Sequence, residues 1–124
     1  MTTHWHEMSA LSLGESIGRG DIDPSELCEY FFERIERFDT KQDIYLRTTP
    51  ERARAEAAAA AERARAGLRL SPLDGVPVSW KDLFDTAGDV TGHGAKVLQE
   101  RIAEKDATVV ARATLAGLVC LGKT

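Results

Sequence analysis

From residue 12 to residue 67 the apolar positions recur mostly at helical spacing. Ser12-Leu13-Gly14-Glu15 fits a capping box, and Leu13 and Ile17 lie i, i+4 on a short helix that Gly18 and Gly20 weaken and end. Asp23-Pro24-Ser25-Glu26 is a second start. Asp23 caps, Pro24 takes the first helical position, and Glu26 can reach back to the cap. Leu27, Tyr30, Phe31, Ile35 and Phe38 then share one face, which predicts a helix from about Pro24 to Phe38. Ile44 to Thr48 reads as a short strand. Thr49-Pro50-Glu51 opens another helix, which runs through Ala57–Ala61 and stops near Gly67. Alanine has the best helix propensity, and the Ala run provides a narrow packing face with Glu/Arg pairs opposite.

From Ser71 the pattern changes. Pro72, Gly75 and Pro77 punctuate a loop, and Val76-Pro77-Val78-Ser79-Trp80 is extended. Pro77 cannot donate to a ladder, so that strand begins there or lies at a sheet edge. Residues 85–94 have no period and contain Gly88, Gly92 and Gly94, which predicts a loop. Asp106 can cap a helix to Ala116, with Val109, Val110 and Ala113 on one face and Gly117 as terminator. Leu118-Val119-Cys120-Leu121 is an unbroken apolar run, as in a buried parallel strand. Strands alternating with helices indicate an α/β fold. The chain ends three residues after that run, so the strand is expected to lack cover and the isolated chain to fold poorly.

Composition narrows the function classes. The chain has 124 residues, 43% apolar and 29% charged, with a net charge of −4, which suits one soluble domain or a piece of one. The acidic balance and 6% aromatic content argue against a basic nucleic-acid surface. No apolar run approaches the roughly 20 residues of a membrane span. The start, Met1 to Glu7, has neither the basic nor the apolar region of a secretory leader. Cys28 and Cys120 are too far apart for a disulfide framework or metal knuckle and read as packed thiols. A cytoplasmic location is the expectation.

Several residues are candidates for chemistry. Gly117 to Thr124 matches the P-loop expression G-x-x-x-x-G-K-[ST]. The context is wrong for phosphate, because a helix precedes Gly117 and an apolar strand fills the interval where a loop is needed. Lys81 follows Val78-Ser79-Trp80 and precedes Asp82. Strand neighbours point to opposite faces, so Lys81 and Asp82 need not pair. A lysine drawn into an apolar interior loses proton affinity and can act as a base; the alternative is a surface lysine covering Trp80. His93, between Gly92 and Gly94, could bind substrate or move protons, or simply be exposed. His4 and His6 have metal-like spacing but are expected in a frayed terminus without partner ligands. Ser71 and Ser79 have no evident base beside them.

The segment Ser71-Pro72-Leu73-Asp74-Gly75-Val76-Pro77-Val78-Ser79-Trp80-Lys81-Asp82 resembles amidase-signature enzymes, whose corresponding segment reads roughly G-P-L-x-G-[IV]-P-[VI]-x-x-K-D. Leu83 to Gly88 and Thr91 to Gly94 are similar to the loop that follows in that family. Asp106 to Arg112 and Ala116 to Thr124 are similar to its next helix and strand, and Asp23 to Leu27 to its N-terminal region. The resemblance covers nearly the whole chain. It departs from many relatives at Ala95, where they carry serine, and at His93.

The resemblance implies the N-terminal part of an amidase-signature fold, with residues 1–70 as a mainly helical region and 71–124 as the start of the catalytic core. It implies hydrolysis of a carboxamide C–N bond by a Ser–cis-Ser–Lys triad, with Lys81 as the base, a small-molecule amide as substrate, and no cofactor or metal. Both triad serines lie downstream of the L-G-K-T strand in that family, and no Gly-Gly-Ser-Ser-type run is present here. The chain alone is therefore expected to be inactive. Within the family the alternative is the amide-transferring subunit that acts on misacylated transfer RNA in a complex. Outside it stand a small nucleotide-binding protein using Gly122-Lys123-Thr124, and a short binding protein that docks to a full-length relative. Homo-oligomerisation is left open.

Overall fold

The computed structural model describes residues 4–124. A 3-10 turn at Trp5–Glu7 leads into α1 (Ala10–Arg19), α2 (Pro24–Phe38), β1 (Arg47–Thr48), α3 (Pro50–Ala66), β2 (Pro77–Trp80), a second 3-10 turn at Lys96–Leu98, α4 (Thr108–Leu115) and β3 (Val119–Lys123). The three strands form one sheet in the order β1-β3-β2. β3 runs parallel to β2 and antiparallel to β1. The α/β class expected from the sequence is the one observed.

Where local chemistry dictates an element, the sequence boundaries hold. α2 begins at Pro24 because the Asp23 carboxylate accepts the N–H groups of Ser25 and Glu26 at 2.8 and 3.3 Å. α3 ends where Gly67 takes a left-handed conformation. β2 begins at Pro77, a position the missing N–H allows, and lies at the edge of the three-stranded sheet.

Other boundaries move. Ser9, not Ser12, caps α1: its hydroxyl accepts from Ser12 N–H at 3.1 Å, and the helix runs on to Arg19 through Gly14 and Gly18. Gly14 is buried against the Pro72 carbonyl, where an added Cβ would sit 2.0 Å from the oxygen. Asp106 does not cap α4. Its carboxylate instead accepts two hydrogen bonds from Arg52 at 2.7 and 2.9 Å and one from Ala87 N–H at 2.8 Å. The expected strand at 44–48 shrinks to residues 47–48 because Asp39 bends the chain before it, accepting the N–H groups of Asp43, Ile44 and Tyr45.

The largest departure concerns β3. Every residue of it is buried, contrary to the expectation that this strand would lack cover. β1 and β2 satisfy its two edges, and Cys28, Ala53 and Ala57 of α2 and α3 pack on Val119 and Leu121. The small side chains of the Ala run let α3 approach the sheet closely. A second cluster, Leu13, Ile17, Ile22, Leu27 and Val76, joins α1 and α2 to the segment entering β2. Arg63 closes the intervening loop by donating from Nε and Nη2 to the buried Asp74 carboxylate, at 2.8 and 2.7 Å.

Candidate active site around Lys81

Lys81 is the residue that follows β2, and its backbone is held on both sides. The N–H of Thr124 donates to the Trp80 carbonyl, and the N–H of Asp82 donates to the Thr124 carbonyl, each at 2.9 Å. The parallel ladder with β3 therefore continues past Lys81. A tight turn follows, with Leu83 and Phe84 N–H both donating to the Lys81 carbonyl. Alternation then separates the neighbours: Lys81 is exposed and Asp82 is buried. Leu83 and Phe84 are exposed beside it, and the Phe84 ring meets Trp80 edge-on at 5.8 Å.

The buried lysine of this region is Lys123, not Lys81. Lys123 has no exposed surface, and its Nζ donates to Thr91 Oγ1 at 3.0 Å and lies 3.6 Å from Asp82 Oδ1. Asp82 also accepts from Arg47 Nη2 at 2.9 Å and from Gly92 N–H at 3.1 Å. Arg47 reaches further, to Asp89 Oδ1 at 3.1 Å and the Val90 carbonyl at 2.6 Å. Two cations and two carboxylates thus tie β1, the end of β2, β3 and the 85–94 loop together under the Lys81 backbone. Gly122 makes this possible. An added Cβ there would lie 2.3 Å from the Arg47 carbonyl oxygen, so only glycine lets β1 approach β3 this closely.

The loop is further pinned at Asp85, whose carboxylate takes both terminal nitrogens of Arg101 at 2.8 and 2.9 Å. Those hydrogen bonds, with one from Thr91, hold the Asp85 carboxyl well below the usual carboxylate range. His93 is exposed with φ +50°, and its N–H donates to the Asp82 carbonyl, so its backbone belongs to the loop that packs on Asp82.

The remaining candidates separate clearly. Ser79 shares a short hydrogen bond with the Tyr45 hydroxyl, and Ser71 donates to the Ala116 carbonyl at 2.6 Å; neither has a basic partner. The P-loop match fails in three dimensions as well as by context. Its residues run from the end of α4 along β3, and its lysine is committed to Thr91 and Asp82. Cys28 and Cys120 are buried packed thiols. Burial, aided by Glu29, pushes the Cys28 thiol up to about 11, and burial raises Cys120 too. Sequence reasoning missed the Arg47–Asp82–Lys123–Thr91 cluster. The available signal was a charged residue ending an apolar strand, but its partners lie 32 to 76 positions away in the chain.

Known proteins are similar to this chain in sequence and in fold. A family model described as "Amidase" matches residues 26–124. The A-subunit of glutamyl-tRNA(Gln) amidotransferase from Acinetobacter baumannii is 39% identical over 121 residues, covering 98% of this chain and 24% of that protein. Its counterpart from Anaeromyxobacter sp. (strain K) is 42% identical over 126 residues, covering 99% of this chain and 26% of that protein. Among solved structures, peptide amidase from Stenotrophomonas maltophilia superposes with a TM-score of 0.89 at 30% identity, over 97% of this chain and 25% of that one. The chain thus spans about a quarter of the length of the relatives it matches. Among the described residues, no helix is long and apolar enough to cross a membrane.

Proposed function

The chain belongs to the amidase family, and from that premise we propose that it contributes the general base, Lys81, to a Ser–cis-Ser–Lys site that cleaves carboxamide C–N bonds in a longer protein. The observation that carries this reading is the contrast at residues 81 and 82. The Lys81 backbone is clamped to β3 and underpinned by the buried Asp82–Lys123 pair, while its side chain projects outward. A base must be held in place and still reach its substrate, and this arrangement meets both needs.

The chemistry follows the family scheme. Lys81 accepts the proton of a bridging serine, which accepts that of the nucleophilic serine. The nucleophile's oxygen bonds to the amide carbon, the C–N bond breaks, and the leaving nitrogen takes a proton. Water then releases the acid from the acyl-enzyme. Backbone N–H groups stabilise the oxyanion in each half-reaction. Both serines belong to the part of the relatives' length that this chain does not span. Residues 71–124 form the start of that catalytic core, and the 124-residue chain by itself is inactive.

The test is Lys81→Ala in the full-length protein, assayed against a panel of primary carboxamides. The expected result is a loss of turnover of about a thousandfold or more with an unchanged unfolding transition, because the side chain is exposed. Retained hydrolysis in that variant would overturn the role of Lys81. Lys81-dependent hydrolysis by the 124-residue chain would overturn its inactivity. A second reading, one component of a transfer-RNA amidotransferase, is favoured by the 39% and 42% identities to such proteins. Partner subunits that co-purify with the full-length protein would support it.

A further inference from the structure

We propose that His4, His6 and Glu7 form a binding site for a divalent transition-metal ion of the zinc class, separate from the amide chemistry. The sequence argued against such a site because the terminus was expected to fray and to offer no third ligand. The structure removes both objections. Residues 5–7 form a 3-10 turn closed by the Glu7 N–H, which donates to the His4 carbonyl at 3.0 Å. Trp5 and Met8 anchor the turn by packing against the Leu13–Ile17–Leu27 cluster. Closing the turn brings His4 and Glu7 to the same side, and Glu7 is the third ligand.

The donor atoms converge. Glu7 Oε1 lies 3.8 Å from His4 Nδ1 and 3.9 Å from His6 Nε2, and the three donor atoms all fall within 4.8 Å of one another. Tetrahedral ligands about 2.0–2.1 Å from zinc are about 3.3 Å apart. Small rotations of the exposed His4 and Glu7 side chains therefore close the set around His6.

An independent observation comes from the other nitrogen of His6. Its Nδ1 is hydrogen-bonded to the Tyr30 hydroxyl at 2.5 Å, and Tyr30 is itself held edge-on by Trp5 and Phe31. Nε2 is the nitrogen that faces Glu7, and in the tautomer in which Nδ1–H donates to the hydroxyl Nε2 carries the lone pair a metal would take. A hydrogen bond at the nitrogen away from the ion is the arrangement by which proteins orient a metal-bound histidine. Two imidazoles and one carboxylate form a borderline donor set suited to Zn²⁺, Ni²⁺ or Cu²⁺ rather than Mg²⁺ or Ca²⁺. A fourth position remains for water or an exchangeable ligand. A bound ion would staple the 3-10 turn to α2 through His6 and Tyr30.

The test uses the intact 124-residue chain and Zn²⁺ alone, by isothermal titration with parallel NMR of the histidine rings. The expected result is one Zn²⁺ per chain, with the ring signals of His4 and His6 shifting and those of His93 unchanged. His4→Ala, His6→Ala and Glu7→Gln should each weaken binding by about tenfold or more, and Tyr30→Phe by about tenfold. His4 and Glu7 are exposed surface positions, so their variants fold as the parent does and isolate the ligand effect. Absence of saturable one-to-one binding would overturn the proposal. So would Zn²⁺ binding that survives in both histidine variants, since that places the ion on other groups.

Discussion

Removing the charge of Lys123 while keeping its bulk, as in Lys123→Met, tests the buried cluster beneath Lys81. The methionine replaces most of the aliphatic stem, so the cavity cost is small. What is lost is the ammonium's hydrogen bond to Thr91 Oγ1 at 3.0 Å and its attraction to Asp82 Oδ1 at 3.6 Å, both made by a wholly buried side chain. A charge-assisted hydrogen bond is worth about 1.5–3 kcal/mol, and breaking a buried pair from one side costs about 3–5 kcal/mol. Asp82 retains Arg47 Nη2 and Gly92 N–H, so its charge is not orphaned and the lower part of the range applies. The expected loss is about 2–3 kcal/mol, a fall in Tm of about 10 °C for a chain of this size. Asp82→Asn should cost more, because it leaves two cations, Arg47 and Lys123, facing a neutral amide. Urea unfolding followed by circular dichroism measures both, and the double variant should lose less stability than the sum of the two single losses. If Lys123→Met is as stable as the parent, or costs more than Asp82→Asn, the charge reasoning is wrong.

Two further predictions concern the junction between the loop before β2 and the end of α4. Gly117 has φ +91°, and an added Cβ would lie 2.2 Å from Asp74 Oδ1, so Gly117→Ala should cost about 2–4 kcal/mol in urea unfolding; a change within error would refute that packing. Burial raises the Asp74 carboxyl, but hydrogen bonds from Arg63 and Leu70 N–H, with the charges of Arg63 and Arg69, more than offset it and leave it below its ordinary value. The folded chain therefore binds that proton more weakly than the unfolded chain. The stabilisation is complete above the ordinary carboxylate range and is lost as pH falls below about 4. Asp74→Asn should flatten the stability profile on the acid side of about pH 5, and an unchanged slope would show that Asp74 does not drive it.

What the sequence determined by itself is what local chemistry controls. The bounds of α2 follow from Asp23 and Pro24, the type of α3 from its alanines, and the start of β2 from Pro77. The separation of Lys81 from Asp82 follows from strand alternation, and the failure of the P-loop match from its context. The family resemblance also rested on contiguous residues, chiefly 72–82 and 106–124. Other features depend on groups that meet only after folding. Asp106 abandons its capping role because Arg52, 54 positions earlier, arrives with a paired fork. β3 is buried because α2 and α3 come back over it and Gly122 admits β1. Lys123 looks like a phosphate ligand in the chain and proves to be an internal cation neutralised by Asp82. The His4–His6–Glu7 cluster forms because a 3-10 turn, packed on α1 and α2, gathers side chains that an extended terminus would scatter. The physical reason is common to these cases. A cap or a strand period is settled by neighbours within a few residues, whereas a buried charge is settled by counter-charges that only tertiary packing delivers.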